Sequence, residues 1–349
     1  MNEAPFSTAV ATGTQANPVL VEVTRGSMVE SRHRGSIAVV DAAGTVIHGV
    51  GDIARAVYPR SAIKPLQALV LVESGAADRY GLGDAEIALA CASHRGEPVH
   101  TETVTAWLGK VGLSPADLEC GAHLPYDPPT MEALLRAGGS ASAVHNNCSG
   151  KHSGFLTAAL HLGLPTKGYI GREHPLQQKL FRLIEEMGGE PLDATGRGTD
   201  GCGIPVFGVP QRALARAFAR LDDPAGLTPQ RAAAGRRILA AMAAQPVMVS
   251  GHGNFVTRTM EIAGATVRLK SGAEGVYCAV LPGRGLGVAV KIDDGAGRAA
   301  EVAMAATLRR LGAFDAAQEA ALADFLEVPI RNVAGLRVGS VRPAAAWPF

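Results

Sequence analysis

The chain has 349 residues, of which 47% are apolar and 19% charged, and its formal net charge is +1. This composition supplies a large core and excludes a chain that is mostly disordered. Because the net charge is so close to zero, we expect no general attraction to nucleic acid or to an anionic membrane. A small neutral or zwitterionic ligand is favoured as the partner.

Residues 1–17 are small and polar and predict a disordered N-terminus, followed by a single catalytic domain over residues 18–349. No basic segment precedes an apolar core there, and no charge-free apolar stretch reaches about 18 residues, so neither a secretory signal nor a membrane span is predicted. The five cysteines form an odd, scattered set. Such a set is typical of reduced thiols, and we expect a cytoplasmic protein.

Strand patterns occupy the two ends of the chain, and helical patterns occupy the middle. In chain order, the predicted elements are strands at 19–23, 36–40 and 45–48, helices at 61–73, 155–162, 175–187 and 229–244, strands at 266–269, 275–281 and 287–292, helices at 297–311 and 316–326, and a strand at 335–338. A glycine-containing turn at 41–44 makes a hairpin of the strands around it. We therefore predict an α+β fold, with one antiparallel sheet built from both chain ends and a helical lobe over about 64–245.

Lysine is rare in this chain, since seven lysines stand against 26 arginines. Three of the seven, Lys64, Lys151 and Lys270, lie in the segments that are richest in reactive side chains. Arginine stays charged in proteins, whereas a buried lysine can lose its proton. A neutral lysine can accept a proton from a serine hydroxyl or bind a metal ion, so these three are candidates for chemistry.

Two serine–lysine motifs are typical of one class of acyl-transfer enzymes. In Ser61-Ala-Ile-Lys64 the lysine follows the serine by one helical turn, so its amine can act as the general base for the hydroxyl. Lys270-Ser-Gly272 opens a strand near the C-terminus. The two motifs in this order form the pattern of serine β-lactamases and penicillin-binding proteins.

Three further segments combine reactive side chains with polar or glycine-rich neighbours. Ser93 and His94 stand where the β-lactamase pattern has Ser-Asp-Asn, and they are either a second hydroxyl near the site or an ordinary loop. In His-Asn-Asn-Cys148-Ser-Gly-Lys151 the thiol is a metal ligand, a nucleophile near a helix N-terminus or a small buried side chain. The Asp200-Gly-Cys-Gly turn holds an ammonium group or a metal, or is a simple turn.

With these segments in this order, the chain resembles the class 3, rhizobial-type L-asparaginases, the asparaginase II family. The resemblance covers nearly the whole chain after residue 17. Its six motifs are Arg25-Gly…Val29-Glu-Ser…His33-Arg-Gly35, Pro59-Arg-Ser-Ala-Ile-Lys-Pro-Leu-Gln67, Ser93-His-x-Gly-Glu-Pro98, His145-Asn-Asn-Cys-Ser-Gly-Lys-His152, Asp200-Gly-Cys-Gly-x-Pro205 and Lys270-x-Gly-Ala-Glu-Gly-Val276.

The resemblance implies a fold similar to that of serine β-lactamases. It also implies a homodimer that hydrolyses L-asparagine to L-aspartate and ammonia. As catalytic groups it pairs Ser61 with Lys64, and Ser93 with Lys270.

The resemblance further implies a zinc ion, held by Cys148, Lys151, Cys202 and a water molecule. Because an arginine fork suits a carboxylate, an arginine next to the first serine is expected to bind the substrate carboxylate. The candidate substrate-binding residues are Arg60, His94 and Asp200.

One segment departs from the family pattern, and two other functions stay open. Where relatives usually read Arg-Phe-Asp-Thr, this chain reads Asn254-Phe-Val-Thr257, so an arginine and a carboxylate are missing from the expected substrate contacts.

The serine–lysine motifs also fit an acyl hydrolase of the β-lactamase or penicillin-binding type, although the lack of an export signal argues against it. The other alternative is a zinc-dependent amino-acid-binding protein without catalysis.

Overall fold

The computed structural model describes residues 16–349. Its strands are β1 (Val19–Arg25), β2 (Met28–Asp41), β3 (Val46–Val50), β4 (Ala56–Val57), β5 (Arg197–Thr199), β6 (Pro205–Phe207), β7 (Val209–Pro210), β8 (Arg268–Gly272), β9 (Val276–Leu281), β10 (Leu286–Ile292), β11 (Val328–Arg331) and β12 (Arg337–Pro343).

Three short 3-10 turns lie between helices or strands, at Arg60–Ile63, Pro115–Asp117 and Ala143–His145. The helices are α1 (Lys64–Gln67), α2 (Leu69–Glu73), α3 (Ala76–Arg79), α4 (Asp84–Ala90), α5 (Pro98–Lys110), α6 (Pro128–Arg136), α7 (Ser149–His161), α8 (Pro175–Gly188), α9 (Gln211–Asp222), α10 (Pro229–Ala244), α11 (Pro246–Ser250), α12 (Phe255–Ala263), α13 (Gly297–Arg310), α14 (Ala316–Ala321) and α15 (Ala323–Leu326).

The predicted disordered segment, residues 1–17, lies outside the described residues except for its last two. Of these, Asn17 is buried and hydrogen-bonded: its Nδ2 donates to the Asp293 carboxylate across 3.0 Å, and its Oδ1 accepts from Asp52 N across 2.8 Å. Asn17 therefore belongs to the folded structure, although the predicted boundary lies at residue 18.

The chain divides into two compact units. The first comprises the residues up to Ala62, Gly208–Ala225 and Ile262–Phe349, and the second comprises Ile63–Phe207 and Gly226–Glu261. The second unit overlaps the helical lobe predicted over 64–245, with two differences: it excludes 208–225 and it continues to Glu261. The segment that contains α9 belongs to the first unit, because its helix packs against the sheet.

The first unit contains an eight-stranded sheet in the order β11-β12-β1-β2-β10-β9-β8, with β3 also paired to β2. All of these pairings are antiparallel. Strands from both chain ends thus share one sheet, and the helix-rich second unit comes from the middle of the chain. This arrangement confirms the predicted α+β class.

The centre of the sheet is buried on both faces. β9 is an unbroken apolar run, Val-Tyr-Cys-Ala-Val-Leu, and each of its residues is buried. β2 changes character along its length, since its first half alternates in exposure and its second half is buried at every position up to Val40. Such runs are typical of strands covered on both sides, and here α9 and α13 pack against the sheet.

Gln211 joins α9 to two central strands of the first unit. Its side chain is almost completely buried, and its Nε2 donates to Ser36 O across 2.9 Å and to Ala289 O across 2.8 Å. Its Oε1 accepts from the Ser36 hydroxyl. One amide therefore fixes the start of the helix on β2 and β10.

The second unit is organised around α7, in which every residue from Ser149 to Ala159 is buried. The helices α2, α3, α4 and α5 pack around it. A helix that is buried on all sides needs small or apolar side chains throughout, and its polar residues need partners inside the protein. Trp107 shows such pairing, since its ring nitrogen donates to the Thr157 hydroxyl of α7 across 3.0 Å.

The predicted helix over 61–73 is broken in the structure. It forms the 3-10 turn at Arg60–Ile63, then α1 and α2, because Pro65 has no backbone donor and fits only the first turn of a helix. All five cysteines are free and buried, as expected for reduced thiols. Within residues 16–349, no helix is long and apolar enough to cross a membrane.

Replacing Gln211 with leucine is expected to lower the free energy of unfolding by about 2–3 kcal/mol, because three buried hydrogen bonds are lost and two carbonyls are left with fewer donors. Urea denaturation measures the change. The matched control is Gln245→Leu at an exposed position, which should change little. Equal stabilities of the two variants would contradict the proposed role of Gln211.

Candidate active site

Lys64 is the buried centre of the candidate site in the second unit. Only 1% of the residue is exposed. Its Nζ donates to Ser93 Oγ across 3.0 Å, to Asn147 O across 3.5 Å and to Ala92 O. The amine therefore has three hydrogen-bond partners inside the protein, which is the condition for burying such a group.

This contact differs from the pairing that the family resemblance implies. The resemblance pairs Lys64 with Ser61, whereas the second unit places Lys64 beside Ser93. Ser61 lies in the 3-10 turn that immediately precedes α1, and it is half-buried. The sequence spacing did not reveal the Ser93 contact, because the two residues are 29 positions apart.

Within the first unit, the turn that carries Ser61 lies against β8. A Cβ atom on Gly272 would stand 2.6 Å from Pro59 O and 2.9 Å from Ala62 N, so only glycine allows this approach. Lys270, two residues earlier on the strand, is completely buried, and its Nζ donates to Ser271 O across 2.7 Å. The glycine of the Lys-Ser-Gly motif therefore brings the lysine strand next to the serine turn.

Arg60, the predicted carboxylate-binding residue, has a backbone φ of 49°. Residues other than glycine rarely adopt this left-handed conformation, and such strain is concentrated at functional sites. Its side chain is half-buried. The strained backbone is therefore a structural sign of function at Arg60, in addition to the motif match.

His94, the second predicted substrate-binding residue, is completely buried and uses both ring nitrogens inside the protein. Its Nδ1 accepts from Gly96 N across 3.1 Å, so its Nε2 carries the proton and donates to Ser149 Oγ across 2.8 Å. Burial, reinforced by the neighbouring His100 and Lys64, holds the pKa of His94 well below its ordinary value. The geometry therefore favours a neutral ring that positions the Ser93 loop, and not a ring that contacts the substrate directly.

The predicted metal ligands form a buried thiol–amine cluster. Cys148 precedes α7, Lys151 lies one turn into that helix, and Cys202 comes from the turn between β5 and β6. Lys151 Nζ donates to Cys202 Sγ across 2.9 Å, and the two thiols are hydrogen-bonded to each other. Two sulfurs and an amine, the three groups that the family resemblance names, thus converge from two elements.

The charges in this cluster are coupled. The hydrogen bond from Cys202 lowers the pKa of Cys148 well below its ordinary value, and Lys151 lowers it further against the effect of burial. The same bond, together with burial, raises the pKa of Cys202. Although burial opposes its charge, the two sulfurs raise the pKa of Lys151. Without a metal, the Lys151 amine therefore favours negative charge on the sulfurs beside it.

Asp200, the third predicted substrate-binding residue, lies in the same turn as Cys202. Its Oδ1 accepts from Gly201 N across 2.7 Å, and its backbone N donates to Ile204 O. Its carboxylate is close enough to raise the pKa of Lys151. The half-buried carboxylate thus adds negative charge beside the amine of the cluster.

Two residues near Lys64 were given no role by the sequence analysis, although Asn147 lies within the His145–His152 motif. Asn147 O accepts from Lys64 and from His94 N, and Asn147 N donates to His123 Nε2 across 2.9 Å. The His123 ring stacks on Tyr126 with centroids 4.4 Å apart, and Tyr126 is 56% exposed. A row of contacts therefore leads from the buried amine to the surface. His123 has no neighbouring motif, so no sequence signal could have identified it.

The segment that departs from the family pattern is held by Glu97. This buried carboxylate accepts from His252 N across 3.0 Å and from the His252 ring. Asn254 Oδ1 accepts from Thr257 N across 3.2 Å, as an N-cap residue does at the start of a helix. Asn254, which stands where the resemblance expects an arginine, thus caps a helix here.

Comparisons with known proteins agree with the motifs. A family model described as L-asparaginase II matches residues 21–343. No curated protein sequence gives a significant match.

Solved structures give more distant likenesses. Mglu in its native form is 16% identical with a TM-score of 0.44, covering 86% of this chain and 70% of that chain. A β-lactamase from Mycobacterium bovis is 18% identical with a TM-score of 0.37 (83% and 94% covered), and a putative β-lactamase from Bacteroides dorei is 16% identical with a TM-score of 0.41 (74% and 84%). This chain spans 60% of the length of Mglu solved in 4.3 M NaCl. Because these TM-scores are all below 0.5, the fold is assigned from the strand order and pairing described above.

The coupled cluster predicts a thiolate at neutral pH in protein freed of metal. Because Lys151 favours a charged sulfur beside it and either cysteine can carry that charge, the double variant Cys148→Ser, Cys202→Ser should remove the ultraviolet thiolate absorbance at neutral pH. Burial raises the pKa of Cys278, so the matched variant Cys278→Ser should leave that absorbance unchanged. A thiolate signal that survives in the double variant would contradict a charged sulfur in this cluster.

Proposed function

We propose that this chain, which belongs to the L-asparaginase II family, hydrolyses the side-chain amide of L-asparagine to L-aspartate and ammonia. The observation that carries the proposal is the buried Lys64 amine at hydrogen-bond distance from the Ser93 hydroxyl. A primary amine beside a serine hydroxyl, away from water, is an arrangement suited to acyl transfer. The proposed assembly of the active protein is a homodimer.

In the first half-reaction, Lys64 as a neutral amine takes the proton of Ser61, whose oxygen attacks the amide carbon of asparagine. The carbon–nitrogen bond then breaks, and an aspartyl ester forms on Ser61. The proton held by Lys64 passes through the Ser93 hydroxyl, 3.0 Å away, to the departing nitrogen, which leaves as ammonia. Lys270 supplies positive charge for the developing oxyanion.

In the second half-reaction, water attacks the aspartyl ester while Lys64 accepts its proton. The ester bond breaks, the proton returns to Ser61, and aspartate leaves. Arg60 is proposed to bind the substrate α-carboxylate through its planar fork. Asp200 is proposed to bind the α-ammonium group, since it already adds negative charge near Lys151.

A zinc ion is proposed for the thiol–amine cluster. Within residues 16–349, no group of three or more His, Cys, Asp or Glu side chains is arranged to hold a metal ion, and in this cluster the third donor is a lysine. The donors Cys148, Lys151 and Cys202 converge and suit zinc, which favours sulfur and nitrogen ligands. Bound zinc supplies Lewis acidity and fixed geometry.

Removing the nucleophile should abolish turnover. Ser61→Ala is expected to lower kcat about a thousandfold or more, and Ser93→Ala about 10²–10⁴-fold, because the second serine only transfers protons. A coupled ammonia assay with asparagine and glutamine measures both, with Ser74→Ala as the control variant. Acid-quenched enzyme should carry an aspartyl group on the peptide that contains Ser61.

Several outcomes would contradict this assignment. An aspartyl group on Ser93 would make the observed Lys64–Ser93 pair the nucleophilic pair. Activity above a few per cent in Ser61→Ala would exclude Ser61 as the nucleophile. Hydrolysis of a chromogenic β-lactam in place of asparagine would favour an acyl hydrolase of the β-lactamase type, and tight asparagine binding without ammonia release would favour a binding protein.

Zinc content tests the metal proposal independently of activity. The purified protein is expected to hold about one zinc per chain by elemental mass spectrometry, and Lys151→Met should lower this occupancy about tenfold or more. Occupancy should also fall as the pH is lowered, because the amine and both thiols take up protons in competition with the metal. Lys179→Met, on the exposed side of α8, is the matched control. Equal zinc in both variants would contradict the site.

A further inference from the structure

The second unit contains a cavity that is separate from the candidate active site, here called the second cavity. None of the predicted catalytic or metal-binding residues lines it. Its volume is about 410 Å³. Its walls are α8, the β5–β6 hairpin and the loop at 170–172. Cavities of about 300–1,000 Å³ are the usual size for small organic ligands.

One wall of this cavity is aromatic. Phe181 of α8 and Phe207 of β6 meet edge to face, with ring centroids 5.0 Å apart and planes at 82°. Both rings are half-buried, so part of each faces the cavity that they line. Partly exposed aromatic rings in a concave site are typical of surfaces that bind a flat apolar group.

The cavity is also lined by two guanidinium groups. Arg197 stands directly opposite Phe207 in the hairpin, and its guanidinium lies 4.6 Å above the centre of the Phe181 ring. It is 27% exposed and pairs with Asp193, a carboxylate that is itself 80% exposed. An ion pair so open to water contributes little, so the remaining donors of Arg197 can serve another anion. The second arginine is Arg172, at the end of the loop before α8, whose exposed side chain lies 3.7 Å from the exposed Glu173 carboxylate.

We infer that this cavity binds a small organic anion with a flat aromatic ring, such as an aromatic carboxylate. The ring would lie on the free face of the Arg197 guanidinium or against Phe207, since guanidinium groups stack on aromatic planes. The carboxylate would accept from Arg172 and Arg197, because planar forks match carboxylate oxygens. The amide of Gln178, which already donates to Arg172 O, holds the loop end that carries the first arginine.

The probe is 2-naphthoate, and calorimetry measures its binding to the full-length protein. Saturable binding to one site per chain is expected. Arg197→Gln and Arg172→Gln should each weaken binding about tenfold or more, because each removes a charged hydrogen bond. The matched control is Arg182→Gln, which removes the same charge from the exposed side of α8 next to Phe181 and should change affinity less than about twofold.

The neutral amide of the same ring system, 2-naphthamide, separates recognition of charge from simple apolar binding. The affinity of the protein for 2-naphthamide should be lower than its affinity for 2-naphthoate by about tenfold or more. No saturable binding at millimolar naphthoate, equal affinity for the amide, or equal losses in Arg182→Gln and Arg197→Gln would each overturn the proposal. Thermal denaturation of each variant checks that a loss of binding does not come from unfolding.

Discussion

A primary amine without contact with water has to be surrounded by acceptors, and Lys64 shows how the second unit meets this requirement. Removing an ammonium group from water costs several kcal/mol unless hydrogen bonds replace the lost hydration. The acceptors come from two loops, Ala92 and Ser93 after α4 and Asn147 before α7. The lysine therefore ties together two chain segments that carry the reactive side chains, and Asn147 extends the connection to His123.

The same requirement recurs at Lys151, and Cys148 joins the two lysines. Lys151 and Lys64 both lower the pKa of Cys148, so a positive charge on either amine favours a thiolate there. The serine–lysine group and the thiol–amine cluster are consequently one electrostatic system, and a change of charge in either affects the other.

The sequence predicted the elements whose signals are local. The bounds of α10 were predicted residue for residue, because Thr228 accepts from Arg231 N and Pro229 occupies the first turn. The family resemblance, and not a local signal, named Cys148, Lys151 and Cys202 together, because Cys202 is distant from the other two in sequence. The contact between Lys64 and Ser93 was not predicted, because it depends on how α4 and α1 meet in three dimensions. Local signals determine element ends, whereas this contact depends on packing between elements.

The β5–β6 hairpin shows how a short element can support a chemically important residue. Each of its strands has three residues, and an isolated ribbon of this size is not stable in water. Contacts with α8 supply the missing stability, through Arg197 and Phe207 on Phe181. The turn between the strands also packs closely on the rest of the unit, since a Cβ on Gly203 would stand 3.0 Å from Ile170. The residues that line the second cavity thus also hold the turn that carries Cys202. The same contacts therefore shape the cavity wall and position the thiol.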